Sequence, residues 1–318
     1  MQVRQFKVAG RFRASKFYPN VTPAPTSTPP PEVSILMAVY NRLDLTRLCL
    51  ASLEQSLAGI LYEVLIVDDV STDGTREFLK TLGAPYRVFL NEQKGNFAIN
   101  NNLAAREARA ERLLFLNNDT TLAPGWYEPM RTALAQSADA GFIGNHQTNP
   151  TTRRYDHLGV VFAPWLTPAH YGQHFAKVPS WLKTGVTSWS AVTAACCLTH
   201  RDTFWAAGGF DEAYVNGCED IDLCLRMHRL GRRHYVANES VIVHHKGASP
   251  GRKRFNDVNL GRLRAIWGDT IRREFIEKDA RLFARTHLRK TMVYPWKSNL
   301  GKTWACLRIL AGSPADRV

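Results

Sequence analysis

Residues 33–69 read VSILMAVYNRLDLTRLCLASLEQSLAGILYEVLIVDD, and their patterning decides the fold class. VSILMAV (33–39) is a continuous apolar run rich in β-branched residues. YEVLIVDD (62–69) is a second such run that closes on two acids. Strands that are apolar on both faces belong inside a sheet covered on both sides. Between the runs, DLTRLCLASLEQSL (44–57) places Leu45, Leu48, Leu53 and Leu57 at roughly helical spacing. Strand, helix and strand in this order predict a parallel pair joined by a crossover helix.

The alternation continues toward the C-terminus. The pattern predicts a short helix over 75–82, a strand at YRVFLN (86–91), a helix over 98–110 and a strand at RLLFLN (112–117). The expected class is therefore α/β, with a Rossmann-like, mostly parallel central sheet flanked by helices. Ligands of such sheets bind outside the carboxyl ends of the strands. Here those ends carry Asp68 and Asp69, Asn91, and Asn117 to Asp119. Further on, strands are expected at 141–144, 157–162, 188–198, 234–237 and 240–245, and helices over 201–207 and 220–230. Before residue 33, VTPAPTSTPPPE (21–32) cannot form a helix or a central strand and reads as an extended linker.

Composition narrows the function classes. The 318 residues carry a formal net charge of +13, which suits phosphate-bearing partners such as nucleotides, anionic lipid head groups or nucleic acid. The basic residues lie mostly at the ends, and no nucleic-acid-binding motif is visible. No apolar run approaches the roughly 18–20 residues of a membrane-spanning helix, and the first twenty residues have no apolar core for a signal peptide. A cytoplasmic protein is expected, peripheral on the inner face of the cell membrane. The tail after Trp267 mixes Lys and Arg with interfacial aromatics, which suits an anionic membrane surface. None of the six cysteines forms a CxxC pair, so they read as small buried hydrophobes.

Four segments could carry chemistry. In VDDVSTDGT (67–75), two carboxylates close a buried strand, where an acid can accept from a base N–H or a ribose hydroxyl; Asp73 equally suits a helix cap. In LNNDTTLAPGW (116–126), Asp119 with its amide neighbours could hold a hard divalent cation whose shell a diphosphate completes; an Asx-turn is the alternative. In CEDIDLCLR (218–226), Glu219, Asp220 and Asp222 cluster at a helix start, where acids also stabilise the helix dipole. Residues two apart on a helix point to different faces, so Asp220 and Asp222 cannot share one role. In VIVHHKGAS (241–249), only one of His244 and His245 can face a given site, because strand residues alternate.

In their order and spacing, VSILMAVYNR, VDDVSTDGT, GNFAINNN, LFLNNDT, GGFDEAYVNGCEDIDLCLR and VIVHHKGAS resemble the family-2 inverting glycosyltransferases of the GT-A fold. The likeness is to the bacterial branch of rhamnosyltransferases and cell-surface polysaccharide enzymes. It implies a GT-A glycosyltransferase domain over 33–268, with a nucleotide-binding half at 33–120 and an acceptor or catalytic half at 121–268. A disordered, basic and Pro-rich segment over 1–32 and a basic, partly helical extension over 269–318 would flank it.

The resemblance implies transfer of a hexosyl or deoxyhexosyl group from a UDP-, dTDP- or GDP-linked donor to a saccharide or lipid-linked saccharide, with Mn2+ or Mg2+ as cofactor. Residue by residue, it places Ala38, Tyr40, Asn41, Asp68, Asp69, Asn96, Asn101 and Asn118 on the donor. It makes Asp119 and His244 metal ligands, Asp220 the catalytic base, and Glu219 and Asp222 acceptor-side support. The sequence departs from the family's pattern in Ala38 for a frequent Pro, GNF for GF, and NND for DxD. That last change makes a catalytically weakened nucleotide-sugar-binding protein the rival reading.

Overall fold

The VSILMAV run forms β1 (Val33–Val39), buried almost throughout at the centre of the sheet. It pairs in parallel with β2 (Tyr62–Asp68) on one side and β4 (Arg112–Leu116) on the other; β2 in turn pairs in parallel with β3 (Tyr86–Leu90). A computed structural model describes residues 29–246 and 252–315. The linker at 21–28 and the basic N-terminal residues lie outside the described residues.

Helices α1 (Leu43–Ser56), α2 (Thr75–Leu79) and α3 (Phe97–Glu107) join the first four strands. The sequence continues through β5 (Thr120–Thr121), α4 (Tyr127–Gln136), β6 (Ala140–Thr148), β7 (Tyr155–His157), β8 (Val160–Phe162), β9 (Pro168–His170), β10 (Val186–Trp189), β11 (Cys196–His200), α5 (Arg201–Ala206), α6 (Glu219–Arg229) and β12 (Arg233–His244). The chain ends in α7 (Asn256–Glu274), α8 (Ile276–Val293) and α9 (Leu300–Leu310). The sheet order is β10-β12-β6-β11-β4-β1-β2-β3, with β5 and β7 attached to β12 and β6. Parallel pairing runs through β4-β1-β2-β3, and β11 enters antiparallel between β4 and β6. Strand alternation sends Ile35 and Met37 into one apolar layer and Leu36 into the other, so the sheet is covered on both faces.

Three local expectations are corrected. The strand expected over 188–198 is two strands, β10 and β11, because the chain leaves the sheet at 190–195 to reach the carboxyl edge. There Ala195 O accepts from Asn117 N–H at 2.9 Å. The strands expected at 234–237 and 240–245 are one, β12, with a register shift between Ala237 and Val241. Asn238 stabilises that irregularity by donating to Thr184 O at 3.0 Å and Thr187 Oγ at 2.9 Å. The strand expected over 157–162 is the last residue of β7 and the whole of β8, which pair in different sheets, β7 with β6 and β8 with β9.

Two contacts tie the late helices to the core. Trp267 Nε1 of α7 donates to Asp222 Oδ1 of α6 at 2.7 Å, and Asp279 Oδ2 of α8 accepts from Phe162 N–H of β8 at 2.8 Å. Burial pushes the Asp279 carboxyl up to about 6, against the opposing hydrogen bonds from Ser190 and Phe162. The folded state therefore holds this proton more tightly than the unfolded chain, whose Asp titrates near ~3.9. Its contribution is complete below about pH 4 and is lost as pH rises through about 6. The stability advantage of wild type over Asp279→Asn should fall across this window, by up to roughly 2–3 kcal/mol. Urea unfolding at both ends of the window checks it, and a constant difference would refute the assignment.

All six cysteines are free thiols, and five are buried. Burial pushes the Cys49 thiol up to about 12. Among the described residues, no helix is long and apolar enough to cross a membrane.

Candidate active site

The loops at the carboxyl ends of β1, β2 and β4 and the start of α6 line a cleft of about 700 Å³. Left-handed backbone concentrates here: Asn41 (φ 56°), Arg42 (φ 63°), Val70 (φ 64°), Asn216 (φ 52°) and Cys218 (φ 71°) all sit in these loops. For a β-branched residue such as Val70, that conformation is a true outlier, and such strain persists only where surrounding contacts enforce it. Those contacts are present. Asn41 N–H donates to Ser71 Oγ at 2.8 Å, and Asn41 Oδ1 accepts from Thr72 N–H at 2.7 Å. They lock the loop after β1 onto the loop after β2. Beside them, Lys94 Nζ lies 2.8 Å from the Tyr40 ring centroid, and both residues line the cleft.

The two acids closing β2 divide. Asp68 is fully buried, pairs with Arg76 Nη1 at 3.0 Å and accepts from Ser71 N–H, so it closes the turn. Asp69 lines the cleft and accepts from Gly95 N–H at 2.6 Å. A Cβ on Gly95 would lie 2.9 Å from Asn100 Oδ1 and 3.3 Å from Asp69 Oδ1, so a larger residue would displace the Asn100 amide from this approach. Asp73 accepts from Thr75 N–H and Oγ–H and from Leu43 N–H. Its burial opposes ionisation, but these hydrogen bonds outweigh it and hold the carboxyl below its usual range.

The asparagine run of α3 divides in the same way. Asn100 lines the cleft and accepts from Asn91 Nδ2 at 2.8 Å. Asn96 caps α3 by accepting from Ile99 N–H at 2.9 Å and donates to Glu212 O at 3.0 Å. Asn101 is buried and donates to Phe97 O. Asn102 exchanges two hydrogen bonds with the backbone of Phe210, both 2.9 Å. Of this run, Asn96 and Asn101 lie outside the cleft lining, and Asn100 is the residue that sequence reasoning passed over.

After β4, Asn118 lines the cleft and donates to Thr46 Oγ at 2.9 Å. The pairing of Thr120 with His244 in β5 and β12 then carries the His244 ring to Asp119. Nε2 and Oδ1 are 3.2 Å apart, with His244 2% and Asp119 13% exposed. His245 points the other way, to Thr121 Oγ at 3.0 Å. His244 Nδ1 lies 2.9 Å from Gln147 Oε1, an oxygen that only accepts, so Nδ1 carries a proton and Nε2 is turned to Asp119. A carboxylate oxygen and an imidazole nitrogen facing each other need a positive charge between them, either a proton or a metal ion. As a cation site this pair supplies two protein ligands, and a diphosphate and water would have to complete the shell. Among the described residues, no group of three or more His, Cys, Asp or Glu is arranged to hold a metal ion.

Asp220 lines the same cleft from the first turn of α6. Its Oδ2 accepts from Ala194 N–H at 3.1 Å and its Oδ1 from Ile221 N–H at 2.8 Å. Glu219 also lines the cleft and accepts from Gly217 N–H at 2.5 Å. Asp222, two residues on, is 2% exposed and turned inward, where it accepts from Arg226 Nε at 2.8 Å and from Trp267. Thr193 to Ala195, Asn216, Arg254 and Phe255 complete this side. Nothing in the periodicity marked them, because their place depends on where two loops leave the sheet. Trp189 and Tyr214 are buried, Trp181 is half exposed, and none of the three lines the cleft.

Residues 34–189 match glycosyl transferase family 2. The chain carries a family 2 glycosyltransferase domain. Over 226 residues it is 32% identical to the O-antigen biosynthesis protein RfbC of Myxococcus xanthus, covering 69% of this chain but 18% of that one. It is 26% identical over 217 residues to the N-acetylglucosaminyl-diphospho-decaprenol L-rhamnosyltransferase of Mycobacterium tuberculosis, covering 59% of this chain and 68% of the relative. Among solved structures, the glycosyltransferase domain is similar to GalNAc-T7 with UDP, GalNAc and Mn2+ (TM-score 0.57, 16% identity, 79% of this chain and 51% of that one). It is also similar to the mannosyltransferase PcManGT from Pyrobaculum calidifontis with GDP-Man and Mn2+ (TM-score 0.53, 18% identity, 92% and 79%). The fold is that of the GT-A glycosyltransferases.

Proposed function

We propose that the chain is an inverting glycosyltransferase, which moves a sugar from a nucleoside-diphosphate sugar to a hydroxyl of a saccharide or lipid-linked saccharide in cell-surface glycan synthesis. The observation that carries this reading is that one cleft brings Asp220 together with Asp69, Asn118 and Asp119. The strand ends offer acceptors for a base and ribose, and the start of α6 offers in Asp220 a carboxylate held by two backbone N–H groups.

In this reading the acceptor hydroxyl attacks the anomeric carbon as the bond to the diphosphate breaks. Asp220 takes the hydroxyl proton, and the electron pair of the broken bond leaves with the nucleoside diphosphate. Asp69 accepts from the nucleoside, with its carboxylate fixed by Gly95 N–H. Lys94 and Arg254, on the cleft wall, meet the negative charge of the donor. A divalent cation held by Asp119 and His244 would, when bound, neutralise charge on the leaving diphosphate. Attack from the face opposite the leaving group inverts the anomeric centre and needs no enzyme nucleophile.

A thermal-shift screen of UDP-, dTDP- and GDP-sugars, with and without manganese, tests the donor assignment. One nucleotide class should raise Tm selectively, because a ligand bound only by the folded state stabilises it by mass action. Hydrolysis of that donor without acceptor then separates an enzyme from a binding protein. If no nucleotide sugar shifts Tm, the reading fails.

A further inference from the structure

Helix α9 is apolar on two opposite faces. Its inner face buries Cys306 and Ile309 in a small cluster with Ala280 and Ala284 of α8. On the outer face, Leu300, Trp304 and Leu307 recur at spacings of four and three, and they are 85%, 65% and 46% exposed. Just before the helix, Trp296 is 74% exposed. A helix at the surface of a globular protein ordinarily shows one apolar stripe with polar residues opposite. Here the second stripe has nothing packed on it among the described residues.

The charge of the segment that carries the stripe is of one sign. From Ala280 to Ala315 the sequence holds seven Lys and Arg residues and no Asp or Glu. Arg308 is exposed at the edge of the stripe; Lys302, on the inner side of α9, lies over the Trp165 ring, and Arg289 over that of Phe175. A second copy of the chain seated on this face would bring like charges together. An anionic lipid surface offers what both features lack, a layer of negative head groups over an apolar interior. Tryptophan favours that boundary, and leucines in a short basic helix enter it.

We propose that the outer face of α9, together with Trp296, docks on an anionic membrane surface, with Leu300, Trp304 and Leu307 below the head groups and Arg308, at the edge of the stripe, among them. This surface lies outside the cleft lining, so the proposal stands or falls independently of the donor assignment.

The test is flotation of the full chain with phosphatidylcholine vesicles, with and without phosphatidylserine. Partitioning should be at least about tenfold stronger on the anionic vesicles and should weaken from about 0.05 M to about 0.5 M salt, as the Debye length contracts. Leu300→Ser combined with Trp304→Ser should lower it at least about tenfold. Both side chains are exposed, so Tm and donor-induced stabilisation should stay at wild-type values. Arg308→Glu should reduce the preference for anionic vesicles. Absence of wild-type binding, or binding by the serine variant equal to wild type, would overturn the proposal. So would a wild-type dimer that the serine variant converts to monomer while vesicles are ignored, which would make the stripe a self-association face.

Discussion

Asp220→Asn should lower sugar transfer by about 10²-fold or more while leaving donor binding unchanged, the usual scale for loss of a general base. Asparagine keeps the shape and an oxygen that can accept from Ala194 N–H, the contact that places this side chain at 3.1 Å. What it loses is the ability to take the acceptor's proton. The proposed donor contacts are made by other side chains of the cleft, Asp69 and Asn118 among them, so nucleotide-induced stabilisation should persist. Asp222→Asn is the matched control. Asp222 is buried against Arg226 and Trp267, so its substitution should appear as a lower Tm with kcat nearly unchanged. Near-normal transfer by Asp220→Asn, or an equal kcat loss in Asp222→Asn at matched stability, would move the base elsewhere.

Asp119→Ala should abolish the stabilisation that manganese adds to a bound nucleoside diphosphate and reduce transfer by on the order of 10²-fold. The argument rests on the Asp119 and His244 pair, 3.2 Å apart and almost excluded from solvent. Removing the carboxylate leaves the imidazole as the single protein ligand of the pair, with a diphosphate and water supplying the rest. The fold should survive, because the pairing of His245 N–H with Asp119 O at 2.8 Å uses only the backbone. Equal donor turnover in EDTA and in manganese would defeat the prediction.

The first four strands and their helices were legible because their signal is local. The runs at 33–39, 62–68, 86–90 and 112–116 are long enough to declare a strand, and the polar residues that end each one mark the ligand-binding edge. The same local logic failed at 188–198, where one apolar run serves two strands of the same sheet. It also failed over 157–162, where β7 ends and β8 begins in a second sheet. Periodicity reports extended backbone, not the sheet it joins.

Sequence alone determined the α/β class, the edge at which the site forms, and the separation of Asp220 from Asp222, since helical geometry forbids two residues two apart from sharing a face. Only the tertiary structure decided which acid of the Asp68 and Asp69 pair faces the cleft. That depends on Arg76 drawing Asp68 inward and on Gly95 admitting Asp69. It also decided that Asn100, not Asn96 or Asn101, lines the cleft, and that His244 meets Asp119 through the pairing of β5 with β12. Periodicity is a property of neighbours along the chain. Side-chain direction at a strand end is set by partners far along it, and no local pattern encodes those.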